Sequence, residues 1–258
     1  MEDVGFTVAT TGGVTRLTLT RPETRNSLSH ALCGALHAAI GAAAADPECR
    51  VFLLEGSGGA FASGADVAEL QRLRADRPRL LAAYRQLRAT QELLYGLPKP
   101  TIARIDGYCM GAGLSLAIAC DLRLATPRST FAASPSRIGL IYSDREVWRL
   151  ALRIGMAGAR DLLFTGRRIS GTEALHLGLI DRLSEPADAE TDCRRLLDEL
   201  AAGSQHSVRK TKGQLLRMER ALQAGTGADE SEAEESFFEP DAAEGFLAFL
   251  ERRAPRFP

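Results

Sequence analysis

Two stretches of small residues carry the types and spacing that could do chemistry. The first is Gly58-Gly59-Ala60-Phe61-Ala62-Ser63-Gly64-Ala65-Asp66, and the second runs from Asp106 through Gly107, Gly111, Ala112 and Gly113 to Leu116. Each reads as a turn between a strand and a helix. Small residues let a ligand come close to the main chain. The start of each following helix offers N–H groups without intrahelical acceptors and a partial positive charge. Together they suit an oxygen that becomes negative during a reaction. Spacing alone leaves equally open that these glycines only shape turns. Neither stretch is a nucleotide fingerprint, because both G-x-G-x-x-G and G-x-x-x-x-G-K are missing. The four histidines, at 30, 37, 176 and 206, show no metal-ligand spacing.

The elements that would position these turns alternate. Two strands, around Phe6–Thr10 and Val14–Thr20, are joined at Gly12-Gly13, a hairpin signal. Ser27 or Ser29 can cap a helix that runs to Ala45, where Asp46-Pro47 stops it. A buried strand at Val51–Leu54 precedes the first small-residue stretch. Pro78 suits the first turn of another helix. Leu80, Tyr84, Leu87 and Leu94 form its apolar stripe, which reads as a core face, with Gln91 interrupting. Ile102–Ile105 is a strand, Leu114–Cys120 an apolar helix and Leu122–Ala125 a strand. Beyond Trp148 nearly everything reads as helix, including Leu196–Ala202, Val208–Leu222 and Ala242–Leu250. Eight acids lie between Asp229 and Glu244, a pattern that predicts a solvated helix face. Strand–helix alternation followed by helices predicts an α/β architecture.

The chain has 258 residues, 45% of them hydrophobic and 25% charged, which is the composition of a folded globular protein. A net charge of −1 gives no global field for nucleic acid or an anionic membrane. No stretch is long and apolar enough to span a bilayer, and no signal peptide pattern opens the chain. Five cysteines without a C-x-x-C pair read as reduced thiols of a cytoplasmic protein.

At the two small-residue stretches the chain closely resembles the crotonase (enoyl-CoA hydratase/isomerase) superfamily. The resemblance starts at Arg21-Pro22-Glu23-Thr24-Arg25-Asn26-Ser27-Leu28 and includes Lys99–Ala103, Ala119–Arg123, Leu163–Ile169 and Ala174–Ile180. It ends at Glu244–Arg253. It implies a ClpP-like spiral of ββα units over residues 1–195 and a helical C-terminal region over 196–258 that builds trimers or dimers of trimers and covers the CoA site. The implied substrate is a CoA or acyl-carrier (phosphopantetheine) thioester, with no metal and no separate cofactor. The resemblance puts the oxyanion amides at Ser63 and Ala112. It borders the thioester with Arg25, Asn26, Leu28, Ala62, Gly64, Ala65, Asp66, Gly111, Pro135 and Leu140. Phe249 and Arg252 match positions that reach the nucleotide end of CoA, in some relatives from a neighbouring subunit.

The family's two hydratase glutamates fall at Ser115 and Pro135, and neither residue can replace a carboxylate. The nearby Ser134-Pro135, Gly139 and Tyr142 resemble the methylmalonyl-CoA decarboxylases of this superfamily and a group of loosely defined hydratase/isomerase homologues. The leading expectation is therefore a lyase, decarboxylase- or hydratase-like, that works through a thioester enolate, with Tyr142 orienting a carboxylate or returning a proton. An isomerase using Asp144 or Glu146 as base is one alternative, since some relatives place a carboxylate near Ser143. A non-catalytic acyl-CoA-binding homologue is another. A serine hydrolase using Ser115 is the third, because Gly113-Leu114-Ser115-Leu116-Ala117 is one residue short of a nucleophile elbow.

Overall fold

The computed structural model describes residues 4–224 and 231–257. Its first hairpin pairs β1 (Phe6–Thr11) with β2 (Val14–Leu19), antiparallel, across the Gly12-Gly13 turn. Helix α1 (His30–Ala45) begins where the Ser29 hydroxyl accepts a hydrogen bond from the Leu32 amide. The chain then repeats one pattern. β3 (Val51–Gly56) is followed by β4 (Ala60–Ala62), α2 (Val67–Leu73) and α3 (Arg77–Tyr95). β5 (Thr101–Ile105) leads to β6 (Tyr108–Met110) and α4 (Ala112–Ile118), and β7 (Leu122–Ala125) leads to β8 (Thr130–Ala132) and α5 (Asp144–Thr165). Each repeat gives its first strand to one sheet and its second to another. β9 (Ile169–Ser170), α6 (Gly171–His176) and β10 (Arg182–Leu183) complete the sheets, in the orders β1-β2-β3-β5-β7-β10 and β4-β6-β8-β9. This is the α/β spiral of ββα units that the resemblance implies.

Every strand from β2 to β10 in the six-stranded sheet is parallel to its neighbour, as crossovers through helices require. Parallel strands are covered on both faces. On β3, Phe52 and Leu54 join the main core with α1, while Val51 and Leu53 meet Leu196, Leu197 and Ala201 on the other side. Those three belong to α7 (Ala189–Ala202). A boundary between residues 195 and 196 therefore falls inside a helix, and the spiral needs α7 to cover its open face.

α8 (Gln205–Ala224), α9 (Ser231–Ser236) and α10 (Pro240–Leu250) follow. Of the eight acids expected on a solvated face, Asp229 and Glu230 lie outside the described residues. Several of the others are paired. Glu234 takes two hydrogen bonds of 2.7 Å from Arg85, Glu235 meets Arg77, and Glu244 holds Arg253. These pairs lie beside the cluster in which Phe237 and Phe246 pack on Tyr84, Leu80 and Leu70. No helix among the described residues is long and apolar enough to cross a membrane.

Asn26 links the front of the fold. Its side chain is fully buried. Its Oδ1 accepts from the Arg21 amide at 2.8 Å, and its Nδ2 donates to the carbonyls of Ser57 at 3.0 Å and Ala60 at 2.7 Å. It fixes the loop before α1 against the start of β4 and is therefore structural rather than a thioester contact. Asn26→Ala leaves those groups without partners and is expected to cost about 2–4 kcal/mol of stability, read from urea unfolding.

Candidate active site

The two small-residue stretches meet because β4 and β6 are parallel neighbours. Ala60 pairs with Tyr108 and Ala62 with Cys109, so β4 holds one extra residue, a bulge at Phe61. The turns that leave both strands, at residues 63–66 and at Gly111, then lie side by side. A Cβ on Gly64 would sit 3.3 Å from the Met110 carbonyl oxygen and 3.8 Å from the Ala112 nitrogen. Gly64, at φ +113°, and Gly111, at φ +51°, take backbone conformations that side chains disfavour. Gly113 lets α4 press on β4, since a Cβ there would lie 2.4 Å from the Ala62 carbonyl oxygen.

The hydrogen bonds decide which amides are available. The Ser63 N–H donates to the Arg25 carbonyl at 2.9 Å, so Ser63 cannot offer it to a ligand. The Ser63 hydroxyl turns to the Thr24 carbonyl at 3.1 Å. Ala65 forms a parallel bridge with Leu28. In that bridge the Leu28 amide donates to the Gly64 carbonyl and the Asp66 amide donates to the Leu28 carbonyl. The bridge turns the N–H of Ala65 itself to the opposite side, and no described residue accepts from it. The Ala112 N–H opens α4 and likewise has no acceptor. The available pair is thus Ala65 and Ala112, two residues along from the expected pair of Ser63 and Ala112.

Both amides face a cavity of about 640 Å³. Among the expected residues, Arg25, Leu28, Ser63, Gly64 and Ala65 line one side of it. Gly111, Ala112, Leu140, Tyr142 and Glu146 line the other, with Phe249 and Arg252 of the same chain at the C-terminal rim. The Arg25 guanidinium lies 4.6 Å from the centre of the Tyr108 ring, which also faces the cavity.

Six expected residues do not line the cavity. Asn26 and Ala62 are buried behind the turn. Asp66 caps α2, its Oδ1 accepting from the Glu69 amide at 3.0 Å. Pro135 is buried, and its carbonyl accepts from the Ile138 and Leu140 amides, both at 3.1 Å. Asp144 is exposed at the first position of α5. Ser115 directs its hydroxyl at the Gly111 carbonyl of its own helix, 3.4 Å away. The exposed His176 and His206 lie away from the cavity, so the nucleophile-elbow reading lacks a base.

Two groups give the cavity its acid–base character. A Cβ on Gly111 would be 3.8 Å from the Tyr142 hydroxyl, which puts that hydroxyl beside the available amides. The hydroxyl is buried. The Ser134 main chain lies alongside it, but nothing meets hydrogen-bond geometry. Burial, with the Glu146 charge adding to it, holds the phenol far above its ordinary pKa, so it is a neutral proton donor. Glu146 forms a capping box with Ser143. Its Oε2 accepts from the Ser143 amide at 3.2 Å and from the Ser143 hydroxyl at 3.0 Å. Its Oε1 has no hydrogen-bond partner among the described residues.

Comparison with known proteins agrees with this geometry. The enoyl-CoA hydratase/isomerase family model matches residues 9–258. The chain belongs to the enoyl-CoA hydratase/isomerase family. It is 32% identical over 251 residues to the human mitochondrial enoyl-CoA hydratase domain-containing protein 2, covering 95% of this chain and 85% of that protein. Among solved structures, an enoyl-CoA hydratase/carnithine racemase from Magnetospirillum magneticum is 30% identical, with a TM-score of 0.80 over 98% of this chain and 95% of that one. An enoyl-CoA hydratase from Mycobacterium avium subsp. paratuberculosis is 27% identical, with a TM-score of 0.83 over 98% of each chain.

Cys33, Tyr84, Tyr108 and Arg168 are among the cavity residues to which the sequence reading gave no site role. Tyr84 was the readable one, because a tyrosine in an otherwise apolar stripe carries a hydroxyl that needs a partner. Cys33 lies on α1, and burial beside Glu69 pushes its thiol up to about 12, so it stays a thiol. Within this family member, Gly113→Ala is expected to push α4 away from β4. The overpacking costs about 1–3 kcal/mol, read from chemical denaturation.

Proposed function

We propose that this family member moves a double bond within an acyl thioester through an enolate. The Ala65 and Ala112 amides hold the thioester oxygen as it becomes negative. Glu146 Oε1 takes a proton from one carbon and returns it to another. The Tyr142 hydroxyl donates beside the oxyanion and keeps water out of that corner. The observation that carries the reading is the pair of acceptor-free amides opening on the same cavity as a carboxylate with one unpartnered oxygen. Arg25, Arg252 and Phe249 at the cavity rim suit the phosphates and base of CoA or a phosphopantetheine arm. This makes the chain an isomerase with no separate cofactor.

Decarboxylation is the second reading, favoured by Ser115 and Pro135 at the glutamate positions and by the neutral Tyr142 hydroxyl. There the amides hold the enolate left by departing CO₂, and Tyr142 returns the proton. Liquid chromatography that resolves the isobaric 2- and 3-enoyl thioesters, coupled to mass spectrometry, separates the readings after incubation with 3-hexenoyl-CoA, methylmalonyl-CoA and crotonyl-CoA. Isomerisation without mass change supports double-bond migration, loss of CO₂ supports the second reading, and binding without turnover of any of them overturns both. Glu146→Gln, which can keep the capping box, is expected to lower isomerisation roughly 10²–10⁴-fold. Ala112→Pro deletes one N–H at a position where proline suits the helix, and is expected to lower turnover roughly 10²–10³-fold. Wild-type rates in both variants contradict the assignment.

Self-association belongs to the same proposal. Leu215, Met218 and Leu222 form one stripe on α8 and are 55, 64 and 62% exposed, an apolar face suited to another copy of the chain. A trimer or a dimer of trimers is expected in sedimentation analysis. A Met218→Glu, Leu222→Glu double variant is expected to sediment as a monomer, and an unchanged assembly would remove this face from the interface.

A further inference from the structure

From Tyr84 we infer that the acyl group carries an oxygen, as in a hydroxyl or a ketone, away from the thioester carbonyl, and that the Tyr84 hydroxyl recognises it. The inference rests on the thioester reading and adds to it the class of acyl group. Tyr84 is 8% exposed, stands on α3 and lines the same cavity as the Ala65 and Ala112 amides. Its hydroxyl oxygen is buried and has no hydrogen-bond partner among the described residues. The ring is held from behind by Phe237, 5.1 Å between ring centres, so the side chain has a fixed place. Arg88 lies 5.8 Å from the ring centre without meeting hydrogen-bond geometry at the oxygen.

A buried hydroxyl without a partner destabilises a core unless something fills the vacancy. Phenylalanine would pack the same site without that penalty. Ala83, Leu87, Leu28 and Phe237 line the cavity with Tyr84 and offer no side-chain acceptor. A plain hydrocarbon acyl chain would leave the hydroxyl unsatisfied, whereas an acyl oxygen would satisfy it. Burial raises the Tyr84 pKa to about 12, with the Glu146 charge adding to the rise and the nearby Arg88 guanidinium opposing it. The phenol is therefore protonated near neutral pH and can donate to an acyl oxygen. Sites that hydrogen-bond a substrate oxygen discriminate strongly against analogues lacking it.

Calorimetry with hexanoyl-CoA and with 3-, 4- and 5-hydroxyhexanoyl-CoA tests this on the whole protein. At least one hydroxylated ligand is expected to bind about tenfold more tightly than hexanoyl-CoA. In Tyr84→Phe the ratio of the two affinities is expected to fall to about one. Equal binding of all four ligands by the wild-type protein, or an unchanged ratio in Tyr84→Phe, overturns this inference and leaves the thioester reading standing. Failure of every CoA thioester to bind overturns both.

Discussion

The chemistry depends on how two short parallel strands are paired. β4 and β6 lie side by side with one extra residue in β4, and each runs directly into a turn and then a helix. Parallel pairing brings the ends of both strands to the same edge, so the N–H groups of both turns open on one cavity. The close approach needs Gly64, Gly111 and Gly113, where a Cβ would strain the backbone or meet the opposing main chain. Behind this edge, the wide parallel sheet and the fully buried Asn26 keep the two turns from drifting apart. Replacing a glycine there alters the position of an amide.

Much of the spiral is visible in the sequence. Hydrophobic runs mark β3, β5 and β7, and Ser29, Pro78 and Asp46-Pro47 mark the ends of helices. β4, β6 and β8 are harder to see from pattern alone. Each is three residues long and lies among glycine, alanine and serine, too short for an alternation to register. The amide at Ser63 illustrates a different limit. The motif locates the turn, but successive peptide groups face opposite ways, and only the bridge from Leu28 to Ala65 decides which N–H is left over. Asn26, Asp66 and Pro135 sit within the same motifs yet brace the loops, since a motif records which residues a turn requires without separating support from contact.

Electrostatics in the cavity follow from the burial of its two phenol hydroxyls. Tyr142 and Tyr84 are held protonated by burial, and the Glu146 charge raises both further. A low-dielectric site strengthens donors aimed at a developing negative charge. The amides, already fixed by the fold, need no reorganisation as that charge appears. Glu146, in the first turn of α5, lines the cavity as a carboxylate whose charge reaches Tyr142.

The most direct measurement is isotope-edited infrared spectroscopy of butyryl-CoA labelled with carbon-13 at the thioester carbonyl. Two main-chain N–H donors at the oxygen lengthen and polarise the carbonyl bond, so the bound band is expected at clearly lower frequency than that of the free ligand. A bound carbonyl band at the frequency seen in water or higher would contradict an oxyanion site at Ala65 and Ala112.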